Sequence, residues 1–241
     1  MQDINDFKLN REQVISNRDL ANQFLHHLWF CTPLLFIVPL IYFVAFRALG
    51  PGVLFWPFCL GLLGWSIALV LRVPLMVLTQ RLSQDAKEQT IAAMAGPAEE
   101  SVRLLGVWLL QANFASALSL GLGWATIEVL YTVISGFGSA IILSQGGMGA
   151  WQLRKRFQET GLTVPATVYT GILERLSATA IHIGFTLLLA YHPLLILITL
   201  PLHSLVNVSA LNLSKRSAVA TQAVVAFLGT ATLLVGIKLF L

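Results

Sequence analysis

Charge is what this 241-residue chain has least of. Only 11% of its residues are Asp, Glu, Lys or Arg, against 56% hydrophobic residues and a mean hydropathy of +0.78, which is too apolar for a soluble domain of this size. Cysteine is scarce too. Cys31 and Cys59 both sit inside apolar runs, where a thiol acts as a small hydrophobe, so neither a disulfide framework nor a Cys-x-x-Cys metal site is expected. The four aspartates, Asp3, Asp6, Asp19 and Asp85, fall outside the predicted spans, which excludes an intramembrane aspartyl dyad. No His-Glu-x-x-His occurs, so the zinc helix of the usual membrane metalloprotease is missing. Gly146-Gly147-Met148-Gly149 lacks the Gly-Lys-Ser/Thr ending of a phosphate-cradling loop, and Gly136-Phe137-Gly138-Ser139 comes with no assignable base for a serine nucleophile. No internal repeat of the inverted-transporter kind is visible. The first 26 residues lack the basic, then apolar, then small pattern of a cleaved signal peptide and are expected to form a short cytosolic or interfacial segment.

What the chain does have is apolar runs of membrane length. Seven spans are predicted, over residues 28–47, 53–78, 91–110, 114–136, 165–190, 194–212 and 218–238. They form an all-α polytopic bundle, and residues 1–241 are read as a single integral membrane domain. With the N-terminus inside, Lys8, Arg11, Arg18, Arg81, Lys87, Arg154, Lys155, Arg156, Lys215 and Arg216 all lie on the cytosolic side, against Arg47 and Lys238 outside. That asymmetry predicts an N-in, C-out arrangement, and the expected location is a cell membrane of prokaryotic type, crossed several times. It also accounts for the net charge of +4 and pI near 9.3 without a nucleic-acid partner. The segment 137–164 is expected as the longest loop, a turn leading to a basic interfacial stretch around Trp151.

Within these runs stand residues that a bilayer does not solvate. Gly96-Pro97-Ala98-Glu99-Glu100-Ser101-Val102-Arg103 puts three charges in one span, each costing about 2.5–3.5 kcal/mol at a helix centre while an aliphatic residue returns about 0.3–0.6 kcal/mol. The span must therefore face the bundle interior. Arg103 lies one turn beyond both glutamates, within reach of either. Pro97 is expected to kink or restart the helix, leaving both glutamates in the first turn of a second half-helix, where backbone N–H groups favour a carboxylate. The next span carries Glu128, one turn from Trp124, on a helix whose Ala117, Gly121 and Ala125 invite close approach. Glu174, Arg175 and His182 follow, with Arg175, Thr179 and His182 on one face. His203 and Asn207 then lie one turn apart, the spacing of two donors aimed at one oxygen. Glu99 lies about eight residues from the inner end of its span and His203 about nine from the outer end of its own. At about 1.5 Å per residue, both fall in the middle third of an about 30 Å core. The same residues also fit an arginine-neutralised lock between helices, or a proton relay through Glu99, Glu128 and His182.

Taken in order, Glu99-Glu100-x-x-Arg103, Trp124-x-x-x-Glu128, Glu174-Arg175 leading to His182, and His203-x-x-x-Asn207 resemble the glutamic-type intramembrane peptidases of the CAAX-protease and bacteriocin-processing superfamily. The YhfC branch is the most similar, the PrsW branch next, and the resemblance spans about residues 95–210, with residues 91–212 the candidate catalytic helices. It implies an endopeptidase acting on a membrane protein or lipopeptide at the bilayer. Glu99 would activate water with help from Glu100 or Glu128, His203 and Asn207 would stabilise an oxyanion, and His182 would orient water or protonate the leaving amine. Arg103, Trp124 and Arg175 would be supporting residues. The chain departs from CAAX proteases in placing its arginine one residue earlier and in carrying Trp124 and Glu128 where those enzymes have Phe-x-x-x-His. Glu99, Glu100, Glu128 and Glu174 outnumber Arg103 and Arg175 by two charges. No cofactor is expected; a divalent metal, if one is used, would be held by Glu99, Glu128, His182 and His203. The rival classes are a proton-coupled transporter and a non-catalytic regulatory or immunity protein.

Overall fold

The computed structural model describes the backbone of residues 11–159 and 167–241 and the side chains of residues 19–155 and 171–241. These residues form α-helices: α1 Arg11–Ala48, α2 Phe55–Leu71, α3 Val73–Leu78, α4 Gln84–Leu110, α5 Phe114–Gln145, α6 Gly147–Glu159, α7 Thr167–Tyr191, α8 Ile196–Ser214 and α9 Ala218–Lys238. Six stretches are long and apolar enough to cross a membrane: Asp19–Ala48, Phe55–Arg81, Phe114–Gln145, Gly171–Tyr191, Pro193–Ser214 and Ala218–Lys238. This is a multi-pass helical membrane protein. The remaining predicted span is α4, whose 27 residues reach about 40 Å at about 1.5 Å each, but whose charges set it apart from the six.

The described residues group into two compact units, one within 11–36, 130–159 and 167–172 and the other within 37–129 and 173–241. In the first unit, the sequence-based loop at 137–164 is replaced by helix. Helix α5 continues to Gln145 because Ala140 and Leu143 find buried positions and Phe137 packs edge-on against Trp29, with ring centroids 5.3 Å apart. The break comes instead at Gly146 (φ +71°) and Gly147 (φ +85°), and α6 starts there, carrying Trp151 beneath the Lys155 ammonium. Residues 1–10 and 160–166, where parts of the N-terminal segment and of that loop were expected, lie outside the described residues.

The second unit holds the whole candidate site. Its central helix is α7: 67% of an 18-residue apolar stretch within Gly171–Tyr191 is buried, against 17–28% of the corresponding stretches of the other spans. Lipid tails are as apolar as leucine, so close packing rather than water exclusion holds such helices together. Gly121 supplies the contact: a Cβ there would lie 2.7 Å from Ile183 Cα, so only glycine lets α5 approach α7. On one side of α5, Ala117, Leu118 and Leu122 pack with Ile183 and Leu187; on the other, Leu120 and Trp124 pack with Trp65 and Ala68 of α2. Helices α7, α8 and α9 meet through Ile181, Phe185, Val206 and Val225.

Helix α4 does not restart at Pro97. Its backbone is helical from Gln84 to Leu110, with Pro97 inside. The carbonyl that Pro97 leaves without an N–H donor belongs to Ala93, and the Ser204 hydroxyl of α8 donates to it at 2.6 Å. Gly96 admits that neighbour, since a Cβ there would come within 2.5 Å of the Leu200 carbonyl oxygen. Both glutamates therefore sit within a continuous helix rather than in the first turn of a new one. At the other end of this crossing, Lys215 Nζ bonds Asp85 Oδ1 at 2.8 Å. The start of α4 and the end of α8 are thus neighbours.

Candidate functional site

Helix α4 presents Glu99, Glu100 and Arg103 to the interior, where Glu99 retains 4% of its accessible surface and the other two none. Trp124 donates its indole N–H to Glu99 Oε2 at 3.1 Å, and its ring lies under the Arg103 guanidinium, 4.2 Å from the centroid. Arg103 donates from Nε to Glu100 Oε1 at 3.2 Å, and from Nη1 to Thr186 Oγ1 and the His182 carbonyl at 3.0 and 3.1 Å. His203 on α8 donates from Nδ1 to Glu100 Oε1 at 2.7 Å, because a carboxylate only accepts. That leaves His203 Nε2 facing Glu99 Oε2 at 3.8 Å. Glu100 Oε2 is buried without a hydrogen-bond partner.

Arg103 also links this half of the site to the next. Its Nη2 lies 3.0 Å from His182 Nδ1, and a guanidinium has no lone pair to offer, so that nitrogen accepts and the imidazole carries its hydrogen on Nε2. Nε2 in turn donates to Glu128 Oε2. Arg175 completes the chain, reaching Glu128 Oε1 at 2.8 Å and the half-exposed Glu174 at 2.6 Å.

Eight of the sequence-predicted residues, Glu99, Glu100, Arg103, Trp124, Glu128, Arg175, His182 and His203, thus belong to one hydrogen-bonded cluster. Asn207 does not join it: the amide is half-buried and makes no hydrogen bond to a described residue. Two members were not anticipated. Thr186 lies one turn beyond His182 and braces both its carbonyl and Arg103. Arg72 Nη2 reaches Glu99 Oε1 at 3.1 Å. The signal for Arg72 was present: a lone arginine two residues before Pro74, in a run otherwise without charge, has to turn inward and marks a helix break. With it, three guanidiniums face the four carboxylates, so the expected excess of two negative charges becomes one.

Among the described residues no group of three or more His, Cys, Asp or Glu is arranged to hold a metal ion. The four donors considered for one are split into two pairs, Glu99 with His203 and Glu128 with His182, with Arg72, Arg103 and Arg175 against their carboxylates and rings. That donor set does not fit a single ion. A cavity of about 630 Å³ between α4 and α7 is lined by Ser101, Leu104, Trp108 and Leu189 and contains none of the site's carboxylates or imidazoles. No protein-family model, curated protein or solved structure matches the chain.

Proposed function

We propose that the protein is an intramembrane endopeptidase that hydrolyses a peptide bond of a membrane-associated protein or lipopeptide, with Glu99 and His203 activating the water. One observation carries this reading: His203 is anchored through Nδ1 by Glu100, so that its other nitrogen faces Glu99 Oε2 at 3.8 Å. A carboxylate orienting an imidazole whose free nitrogen points at a reacting group is the arrangement of an activated general base. The gap is too long for a direct hydrogen bond and short enough for one water to bond both groups. Water then loses a proton to His203 Nε2, its oxygen bonds the scissile carbonyl carbon, and the carbonyl electron pair moves onto oxygen. Return of the proton to the leaving nitrogen breaks the C–N bond, giving acid and amine. His203 thus acts as base and acid rather than as an oxyanion donor, since its Nδ1–H is committed to Glu100. His182, engaged at both nitrogens, orients Arg103 and Glu128.

The test is purified protein in liposomes, assayed by mass spectrometry against membrane-spanning peptides and lipopeptides. Wild type cleaves; Glu99→Gln loses activity by about 10²–10⁴-fold, the range of a general base, with a melting temperature near wild type, and His203→Ala loses activity as far while also losing the buried bond to Glu100. Undiminished cleavage by Glu99→Gln sinks the assignment.

A non-catalytic role has one observation in its favour: the cluster is closed and its charges are mutually paired, as in a lock joining α2, α4, α5, α7 and α8. Under that reading the same two variants unfold more easily and no peptide is cut. A proton relay fits less well, because Arg103 stands between Glu100 and His182 and a guanidinium keeps its protons.

A further inference from the structure

We infer that Arg72 is the oxyanion-stabilising residue of this site, an inference that rests on the reading of Glu99 and His203 as the water-activating pair. Hydrolysis of an amide places a full negative charge on the carbonyl oxygen, and in an apolar bundle that charge needs donors already in place. The donors of the cluster can be counted one by one, and Arg175 stands at its far end from Glu99, with Nη1 on Glu128 and Nη2 on Glu174. Trp124 Nε1 is committed to Glu99, His203 Nδ1 to Glu100, His182 Nε2 to Glu128, and the Thr186 hydroxyl to the His182 carbonyl. Arg103 spends Nε on Glu100, Nη1 on Thr186 and the His182 carbonyl, and Nη2 on His182 Nδ1 with Glu99 at 3.9 Å. It is also sealed, with no accessible side-chain surface.

Arg72 differs on each count. It uses Nη2 on Glu99 Oε1 at 3.1 Å and turns Nε toward the Ala68 carbonyl at 3.4 Å, while Nη1, with two N–H groups, bonds no described residue. Its side chain is 14% exposed, so it lies at the rim of the cluster, where a substrate arriving from outside meets it before the sealed members. The backbone explains the position. Arg72 caps the C-terminus of α2 and precedes α3, whose Pro74 breaks the helix there, and its side chain turns back over the last turn of α2 to reach Glu99. The bond to Glu99 holds the planar fork beside the carboxylate that handles the water. Asn207, the donor expected from sequence, has its amide unspent too, but no contact ties it to the cluster.

The experiment compares Arg72→Lys and Arg72→Gln with wild type on the membrane-spanning peptide that wild type cleaves best, together with a phosphinic isostere of that peptide as transition-state mimic. The expected result is a fall in kcat of about 10²–10³-fold for Arg72→Gln with KM little changed, and a smaller fall for Arg72→Lys, which keeps a charge without the fork. Affinity for the phosphinic mimic falls in parallel, and melting temperatures of both variants stay near wild type. Two results would overturn the inference: activity of Arg72→Gln equal to wild type, or a loss that a change of pH restores, which would mean that Arg72 only sets the protonation of Glu99. A wild type that cleaves no peptide would overturn the function itself, and the inference with it.

Discussion

Pro97 and Ser204 are matched across two helices. The proline withdraws an N–H from the carbonyl of Ala93, and the serine on the facing helix donates its hydroxyl to that oxygen at 2.6 Å. With no water inside an apolar bundle to take its place, Ser204→Ala strands the carbonyl and is expected to destabilise the protein by about 1–3 kcal/mol. In a Pro97→Ala background the backbone N–H returns and the same substitution costs less. A double-mutant cycle read by unfolding in detergent measures the coupling, and strict additivity would show that the two residues are not linked.

Gly96 makes that crossing possible, and it can be tested against a glycine that does not serve this purpose. A Cβ on Gly96 would lie 2.3 Å from Ser204 Oγ and 2.5 Å from the Leu200 carbonyl, so Gly96→Ala forces α4 and α8 apart, at a cost of about 1–3 kcal/mol. Gly138, within α5, has open space where its Cβ would be, and Gly138→Ala is expected to stabilise by up to about 1 kcal/mol through helix propensity. Opposite signs in thermal unfolding are the expected outcome.

These contacts also show what the sequence alone makes legible. Apolar length reveals the spans, and the insertion cost of Glu99, Glu100 and Arg103 requires them to turn inward, as they do. The order of Trp124, Glu128, His182 and His203 along successive spans is enough to gather them. The path of α4 through Pro97 is not legible, because proline's local effect is cancelled by Ser204, more than a hundred residues away. Nor is the extension of α5 past residue 136, where packing by Phe137, Ala140 and Leu143 decides and not polarity. Arg72 escapes for a related reason: within an apolar run an isolated arginine is easily absorbed into the span, and its purpose appears only when Glu99 is found opposite.

Arg103 and Glu128 hold His182 in one tautomer. Because Nδ1 accepts from the guanidinium and Nε2 donates to the carboxylate, ¹⁵N spectra of histidine-labelled protein should show a non-protonated Nδ1 and a protonated Nε2 for this residue. Substituting Arg103 with Met removes the donor that selects the tautomer, and a mixed spectrum is expected. The reverse assignment in the wild type would contradict the geometry.

Asp85 and Lys215 form a contact with a simple pH signature. The hydrogen bond and charge of Lys215 hold the Asp85 carboxyl below the usual aspartate range. A carboxylate whose folded pKa is depressed adds stability that is present above its unfolded pKa and lost as pH falls through the folded value. Both side chains are open to solvent, so the effect is small and screened. Wild type should melt slightly above Lys215→Met at neutral pH, and the difference should close in acid and at about 1 M salt, where screening acts within about 3 Å.

Glu100 is the residue whose loss the fold tolerates least. Its Oε1 receives both Arg103 Nε and His203 Nδ1, and neither donor has water to turn to, since all three side chains are buried. Glu100→Ala therefore leaves the Arg103 guanidinium with only the more distant Glu99, at 3.9 Å, to balance it inside the bundle, a change that costs up to about 3–5 kcal/mol. Glu100→Gln keeps an acceptor oxygen of the same reach and loses only the charge, so its cost is smaller. Adding His203→Ala to Glu100→Ala removes one of the two stranded donors, so the double variant should be more stable than the sum of the single losses predicts, by about 0.5–3 kcal/mol. Glu99→Gln, by contrast, still accepts from Trp124 and borders the partly exposed Arg72, and its effect should fall on activity and not on melting. Measured side by side in detergent, the two adjacent glutamates should separate cleanly, with Glu100 governing stability and Glu99 governing turnover; equal destabilisation by Glu100→Ala and Glu99→Gln would refute that division.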